Sequence, residues 1–232
     1  MSDKFVKHGI EIHRNPVERF LMIIKNFIKS NKKLAIIAFS VLVFLTGLFI
    51  AGFIYFENAE NAKRTQFELL VEKYYEAVKS GNSASASGTI NDIIELGKSS
   101  RFGFTSKISS YAAGNFLFEE KKYKEAAELL SGFADKNSKS IFASVALQKA
   151  AIAYEESGNL EAAFSIYSRL ETDYSGSIIA DQFNYNFGRV YSLKGDIANA
   201  KKYFNIVISA YPQSPYAELA KKRIFMLSYK KK

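Results

Sequence analysis

The feature that most constrains the fold of this chain is an internal repeat with a period of 37 residues. Aligned at this spacing, three copies share seven columns: three of small residues, three of mostly large apolar residues and one at a turn. The columns are Gly114/Ala151/Gly188, Leu117/Tyr154/Tyr191, Lys121/Gly158/Gly195, Tyr123/Leu160/Ile197, Ala126/Ala163/Ala200, Leu130/Tyr167/Phe204 and Ala143/Ala180/Ala217. A period in this range predicts a solenoid, because one repeat cannot bury its apolar face without a neighbour.

Each copy is predicted to be a helix A, a tight turn and a helix B. The small columns suit the place where the two helices cross, since they let the backbones approach. Gly158-Asn159 and Gly195-Asp196 suit the turns, where a positive φ is needed. The chain has only three prolines and no alternating runs of strand length, so the domain is predicted to be all-α.

An uncharged apolar stretch, Leu34 to Phe56, precedes the repeats. As a helix its 23 residues would span about 34 Å, and the hydrocarbon core of a bilayer is about 30 Å thick. The stretch is too long for the apolar core of a signal peptide and no small-residue cleavage site follows it. The sequence therefore predicts one uncleaved transmembrane helix at residues 34–56.

The charges around this stretch predict its orientation. Residues 1–33 carry eight Lys/Arg against three acids, whereas the first charges on the other side are Glu57 and Glu60. By the positive-inside rule the leader, 1–33, is cytoplasmic and residues 57–232 are exported. Within the leader, residues 16–29 form an amphipathic pattern that could lie in the headgroup plane or lead directly into the span. The net charge of +9 does not indicate nucleic-acid binding, because residues 57–220 sum to −2.

The repeat columns resemble the tetratricopeptide repeat, in which a small residue is followed by an aromatic, an alanine, a second aromatic and a proline. In the third copy these are Gly188, Tyr191, Ala200, Phe204 and Pro212. The resemblance implies a right-handed superhelical solenoid over residues 57–232. It predicts repeats at about 107–143, 144–180 and 181–217 and a capping helix at 215–229. A degenerate repeat is predicted at about 63–98, in which the small residues 81–88 break the chain between two helices and Thr89 caps the second helix.

The layout of charged leader, single span and helical repeats also resembles the ancillary subunit of the bacterial Sec translocon. That resemblance implies an inner-membrane protein with a periplasmic repeat domain, whose partners are translocon subunits, exported chains or periplasmic chaperones. The segment YPQSPYA, residues 211–217, instead resembles repeats of envelope-assembly and cell-division proteins. A scaffold in envelope assembly or cell division is therefore the alternative.

No enzymatic motif is complete in the sequence. His8 and His13, the only histidines, lie in the leader, and the chain has no cysteine, so the repeat domain offers no histidine triad and no zinc site. Gly97-Lys98-Ser99 resembles the end of a phosphate-binding loop, but Asp92 stands where the loop needs glycine. We therefore expect a non-enzymatic protein without a metal, a cofactor or a small-molecule substrate.

Protein binding is the function that the resemblance implies, and it supplies candidate residues. In tetratricopeptide proteins the concave groove is lined by helix A residues that point away from helix B. The basic clamp for C-terminal carboxylates is missing, so chaperone-tail binding is not expected. The groove positions in this sequence are Tyr111, Asn115, Phe118 and Glu119; Gln148, Ile152, Glu155 and Glu156; and Tyr185, Arg189 and Ser192.

Overall fold

The computed structural model describes residues 6–7, 10–11, 16–100 and 103–229, and it divides the chain into two compact units, Met1–Ala59 and Glu60–Lys232. Residues 1–5, 8–9, 12–15, 101–102 and 230–232 lie outside the described residues. The long helix α2, Lys32–Lys79, contains the division between the units.

The first unit contains a short antiparallel ladder and two helical segments. Strand β1, Val6–Lys7, pairs with β2, Ile10–Glu11, and the sequence did not predict this ladder. Helix α1, Pro16–Ser30, begins at a proline, which suits the first helical position because the missing N–H is not needed there. The N-terminal part of α2 is the one described helix that is long and apolar enough to cross a membrane, and its large apolar side chains are exposed.

The second unit is a solenoid of helices, which confirms the predicted all-helical repeat architecture. After α2 the helices are α3, Ser83–Ser99; α4, Phe104–Glu119; α5, Tyr123–Lys136; α6, Ile141–Glu156; α7, Leu160–Asp173; α8, Ala180–Leu193; α9, Ile197–Ala210; and α10, Pro215–Tyr229. Helices α4, α6 and α8 are the A helices, and α5, α7 and α9 are the B helices. Each helix from α3 to α9 packs against the next one along the chain.

Helix α3 corrects the expectation that residues 81–88 break the chain and that Thr89 caps the following helix. The helix begins at Ser83, and the side chain of Asn82 caps it by accepting a hydrogen bond of 3.0 Å from the N–H of Ser85. Thr89 is fully buried inside α3, where its hydroxyl donates to the carbonyl of Ser85. One polar cap is sufficient to start a helix, and the serines and alanines after it tolerate helical geometry.

Small residues permit the close crossing of helices A and B, as predicted. A Cβ on Gly114 would lie 2.7 Å from Cγ of Leu130, and one on Gly188 would lie 2.9 Å from the ring of Phe204. Both distances are shorter than real Cβ contacts, so each glycine allows a large side chain of helix B to pack directly on the backbone of helix A. Ala126, like its equivalents in the other repeats, is completely buried.

The turns between helices A and B share one left-handed residue. Gly158 and Gly195 have φ of 82° and 81°, as their glycines predict, and the equivalent Lys121 has φ of 60°. A side chain in this region strains the backbone by roughly 1–2 kcal/mol because its Cβ crowds the following carbonyl.

Replacing Lys121 with glycine is therefore expected to raise the free energy of unfolding by about 1 kcal/mol, because glycine removes this strain. The same replacement at Lys124, in the first turn of α5, is expected to lower it by about 0.5–1 kcal/mol. Urea unfolding of both variants, followed by circular dichroism at 222 nm, measures the two effects. If both substitutions destabilise the protein, the left-handed assignment at Lys121 is wrong.

Candidate protein-binding groove

Polar and aromatic contacts join successive A helices on one surface of the solenoid. We call this surface the A-helix face. Its members come from α4, α6 and α8, and the side chains that bridge between these helices show that they share a face. The A-helix face comprises Asn115, Phe118, Glu119, Lys149, Ile152, Glu155, Glu156, Arg189 and Ser192.

Lys149 makes the bridge between α6 and α4. Its Nζ donates a 2.7 Å hydrogen bond to Oδ1 of Asn115 and lies 5.0 Å from the ring centre of Phe118. Asn115 in turn donates to the carbonyl of Tyr111 at 2.7 Å. Burial lowers the pKa of Lys149, and the nearby carboxylate of Glu119 partly opposes this shift. The ammonium group is thus held in place at the surface, half-buried, over an aromatic ring.

Glu155 is the centre of the bridge between α6 and α8. Its Oε2 lies 2.7 Å from Nη2 of Arg189, and its Oε1 accepts a 2.9 Å hydrogen bond from the hydroxyl of Tyr167 on α7. The side chain of Glu155 is only 6% exposed, and burial raises the pKa of its carboxyl although Arg189 and Tyr167 both act to lower it. The same burial, together with the Glu155 charge, raises the pKa of Tyr167. This cluster joins two repeats through one carboxylate.

Three of the predicted groove residues pack between helices instead. Tyr111 lies with its ring 5.1 Å from that of Phe133 on α5, and Tyr185 lies 5.6 Å from Phe204 on α9. Gln148 fills the same column and is 4% exposed, and its amide has no hydrogen-bond partner among the described residues. Tyr111 and Tyr185 thus contact the B helices α5 and α9, and Gln148 is buried, so these three side chains are left out of the A-helix face.

The other predicted residues are accessible to different degrees. Glu119 and Glu156, at the ends of α4 and α6, are exposed, whereas Ile152 and Ser192 are half-buried. Phe118 is half-buried because its ring packs edge-on against Tyr123 at 5.3 Å. The A-helix face therefore combines two apolar side chains with two acids at the helix ends. Its two cations are already bound by other side chains of the face.

Lys149 and Tyr167 take part in the contacts of the A-helix face, and sequence reasoning missed both. Lys149 is the one charge within the apolar run VALQKAAIAY, residues 145–154, and such an isolated cation in a buried helix indicates a specific partner. The column of Tyr167 predicts a large packing residue. Its ring packs 5.8 Å from that of Phe187 on α8, but its hydroxyl reaches Glu155 on α6.

The A-helix face presents fixed polar groups beside apolar side chains. Lys149, Glu155 and Arg189 are held by the contacts described above, next to Phe118 and Ile152. Residues 16–100 and 103–229 contain no group of histidine, cysteine and acidic side chains that could hold a metal ion.

Comparison with known proteins identifies the repeats. The tetratricopeptide repeat family model matches residues 145–177 and 184–214, which contain α7, α9 and most of α6 and α8. In these two segments the chain is similar to tetratricopeptide repeats. The α4/α5 hairpin has the same columns and lies outside the match. Tetratricopeptide repeats typically serve as non-enzymatic scaffolds that bind proteins. No curated protein is similar enough to match the chain.

Solved structures share the tetratricopeptide fold of this chain. A tetratricopeptide repeat protein from Parabacteroides merdae ATCC 43184 is 19% identical with a TM-score of 0.55, and the match covers 72% of this chain and 61% of that one. A Podosopora anserina putative kinesin light chain with nearly identical repeats is 14% identical with a TM-score of 0.54, covering 71% and 84%. The chain thus spans 61% of the Parabacteroides protein, and at these identities the likeness concerns the fold.

Proposed function

We propose that this chain is a scaffold anchored in a membrane by residues 34–56, with an A-helix face that binds a protein partner. The observation that carries the anchor is the exposure of this stretch: 23 consecutive uncharged residues, with no buried side chain, in a helix that would otherwise present them to water. A helix that is apolar on all sides is stable in a bilayer, where its backbone hydrogen bonds are satisfied internally.

The charge asymmetry supports the proposed topology. The eight cations of the leader favour a cytoplasmic N-terminus, which would put the repeat domain on the exported side of the cytoplasmic membrane. Exposed apolar residues of α1, such as Phe20 and Ile24, support an interfacial position for that helix next to the span.

The anchor and its topology are tested together by reporter fusions. An alkaline phosphatase fused after residue 232 is expected to be active, and one fused after residue 31 is expected to be inactive, because the enzyme matures only outside the cytoplasm. The mature chain is expected to keep residues 1–56 and to resist alkaline extraction. The reverse pattern of activity, or release of the chain by alkali, would contradict the proposal.

The proposed partners follow from the layout. A leader, a single span and an exported repeat domain fit an accessory subunit of the Sec translocon, which would contact channel subunits, exported chains or periplasmic chaperones. The A-helix face offers apolar contact at Phe118 and Ile152, and the acids Glu119 and Glu156 beside them. These acids would favour a partner with basic residues flanking an apolar segment.

Affinity purification from native membranes tests the partner and the face together. The double variant Ile152→Ser/Glu156→Lys is expected to lose the co-purifying partner while it keeps its membrane location and helicity. The control Glu128→Lys makes the same charge change on the exposed surface of α5 and is expected to keep the partner. Channel subunits or periplasmic chaperones among the enriched proteins support the translocon role. Recovery of outer-membrane or division proteins alone would favour the envelope scaffold instead. Equal binding of the partner by both variants would contradict the assignment of binding to the A-helix face.

A further inference from the structure

A second surface of the solenoid exposes large apolar side chains where the A helices begin. Phe104, Ile141 and Ile178 are spaced by 37 residues, one in each repeat, and are 44%, 74% and 86% exposed. Phe142 adds a fourth side chain, 49% exposed. We call these four residues the apolar edge. A recurring exposed position of this kind indicates a contact surface, because isolated exposure would not repeat with the period of the fold.

Open hollows separate the members of the apolar edge. The first, of about 640 Å³, lies between Phe104, Phe133 and Phe142. Another, of about 520 Å³, lies between Ile141 and Ile178. The apolar side chains therefore project beside open recesses. A surface of this shape suits insertion between flexible groups better than contact with a flat, rigid surface.

The first hollow is basic. Lys107, Lys136 and Lys139 line it, all three are exposed, and none has a carboxylate within ion-pair distance in residues 16–100 and 103–229. The acids at the ends of the B helices α5 and α7, Asp135 and Asp173, are both paired with Arg169 at 2.5 and 3.5 Å. Unpaired lysines beside exposed Phe and Ile are the combination that binds anionic membrane interfaces.

The apolar edge also includes the place where the chain enters the repeat domain. Glu60, the first residue of the second unit, accepts hydrogen bonds from the N–H and the hydroxyl of Thr105, at 2.8 and 3.0 Å. This fixes it next to Phe104. Glu60 follows the last apolar residue of the span, Phe56, by four positions, and four residues reach at most about 14 Å even when fully extended.

We propose that the apolar edge and its three lysines dock the repeat domain on the anionic surface of the bilayer that holds the anchor. This inference rests on the proposed span, since the short tether is what brings the edge to the membrane. The lysines would contact lipid phosphates, and the isoleucines and phenylalanines would enter the headgroup region. Docking would leave the opposite ends of the repeats, at the A–B turns, away from the lipid.

The chain lacks cysteine, so single cysteines can carry a fluorescent label in the full-length protein. Three variants are labelled with bimane and reconstituted in vesicles that contain a nitroxide quencher in the headgroup region or at mid-bilayer. Ile141→Cys reports the apolar edge, Thr46→Cys reports the span, and Ser157→Cys is the control. Ser157 lies at the other end of α6, 16 residues and about 24 Å away.

In vesicles of phosphatidylcholine and phosphatidylglycerol in equal amounts, the label at position 141 is expected to lose most of its emission to the headgroup quencher. The label at position 157 is expected to keep its emission. Quenching of the label at position 46 at mid-bilayer, without quenching at position 141, would overturn docking and leave the anchor intact. Absence of quenching at position 46 would overturn the anchor, and docking with it. Equal quenching at positions 141 and 157 would contradict the assignment to this edge.

The lysines are tested in the Ile141→Cys background. Quenching is expected to fall sharply in pure phosphatidylcholine, and also in 1 M salt, where charges are screened beyond about 3 Å. Lys136→Gln/Lys139→Gln is expected to lose the dependence on phosphatidylglycerol, whereas Lys121→Gln/Lys124→Gln, at the far end of the repeat, is expected to retain it. Loss of the dependence in both pairs would show that only net charge matters and would overturn the lysine assignment.

Discussion

Replacing Arg189 with methionine is expected to lower the free energy of unfolding by about 3 kcal/mol at neutral pH. The substitution leaves the Glu155 carboxylate, 6% exposed, with the Tyr167 hydroxyl as its remaining described partner. A buried charge that has lost its counter-ion costs more than the ion pair contributed. Arg189 is itself 29% exposed, which is why we expect the lower end of the usual range.

The loss is expected to depend on pH with a definite sign. Burial already raises the pKa of Glu155 above its ordinary value of 4.5, and removal of Arg189 raises it further. Below pH 4.5 the carboxyl is protonated in the folded and unfolded states, so the variant loses little stability there. The deficit relative to the wild-type protein grows as the pH rises through the raised pKa that Glu155 has in the folded wild-type protein, and it is complete above the still higher pKa in the folded variant.

Urea unfolding across this pH range measures the effect. The control is Glu155→Gln/Arg189→Met, which removes both charges and keeps an acceptor for Tyr167. It is expected to recover most of the stability and to lose the pH dependence. An Arg189→Met variant that is equally destabilised at all pH values would show that the side chain acts by packing alone.

Replacing Gly188 with leucine is expected to destabilise the repeat domain by about 3 kcal/mol, because the new side chain has no space at the crossing of α8 and α9. Its Cβ alone would lie 2.9 Å from Phe204 and 3.2 Å from the carbonyl oxygen of Ala200. The ring of Phe204 is fully buried, and the carbonyl belongs to the backbone of a helix, so neither can move without separating the two helices.

Gly132 provides the matched control. It also lies in a helix, α5, but a Cβ there would meet no atom within 4 Å. Gly132→Leu is expected to be neutral or to stabilise the protein by up to about 1 kcal/mol, since leucine favours the helix. Thermal unfolding followed at 222 nm should separate the two variants by roughly 10 °C. Similar transitions for both would contradict the packing assigned to the small-residue columns.

The repeat architecture could be predicted because its cause is local and recurs. The small residues at 114, 151 and 188 allow the crossing, and the A helices end at Glu119, Glu156 and Leu193 with the predicted spacing. The start of α3 was missed because the only signal for it is one capping residue, Asn82. The serines and alanines that follow Asn82 suggest a break when composition alone is considered. The turns at Lys121, Gly158 and Gly195 could be predicted because these three residues form one column of the repeat, although the first of them is a lysine.

The site was harder to predict because a helix position must be assigned within one residue. Neighbouring positions on an α-helix differ by about 100° in direction, so Gln148 faces the interior while Lys149 faces the surface. A family alignment places residues on helix A but does not fix this rotation. The ion pair between Glu155 and Arg189 depends on the stacking of two repeats, which no single repeat reveals.

Photo-crosslinking from the A-helix face tests the central claim, a membrane scaffold that binds a protein partner there, most directly. A photoreactive amino acid is placed at Ile152, on this face, or at Ser165, an exposed position on α7, in the full chain in native membranes. We expect irradiation to give discrete protein adducts from position 152, absent from position 165 and lost on adding Glu156→Lys. Identical adducts from both positions, or none from position 152 while the chain remains in the membrane, would contradict the account.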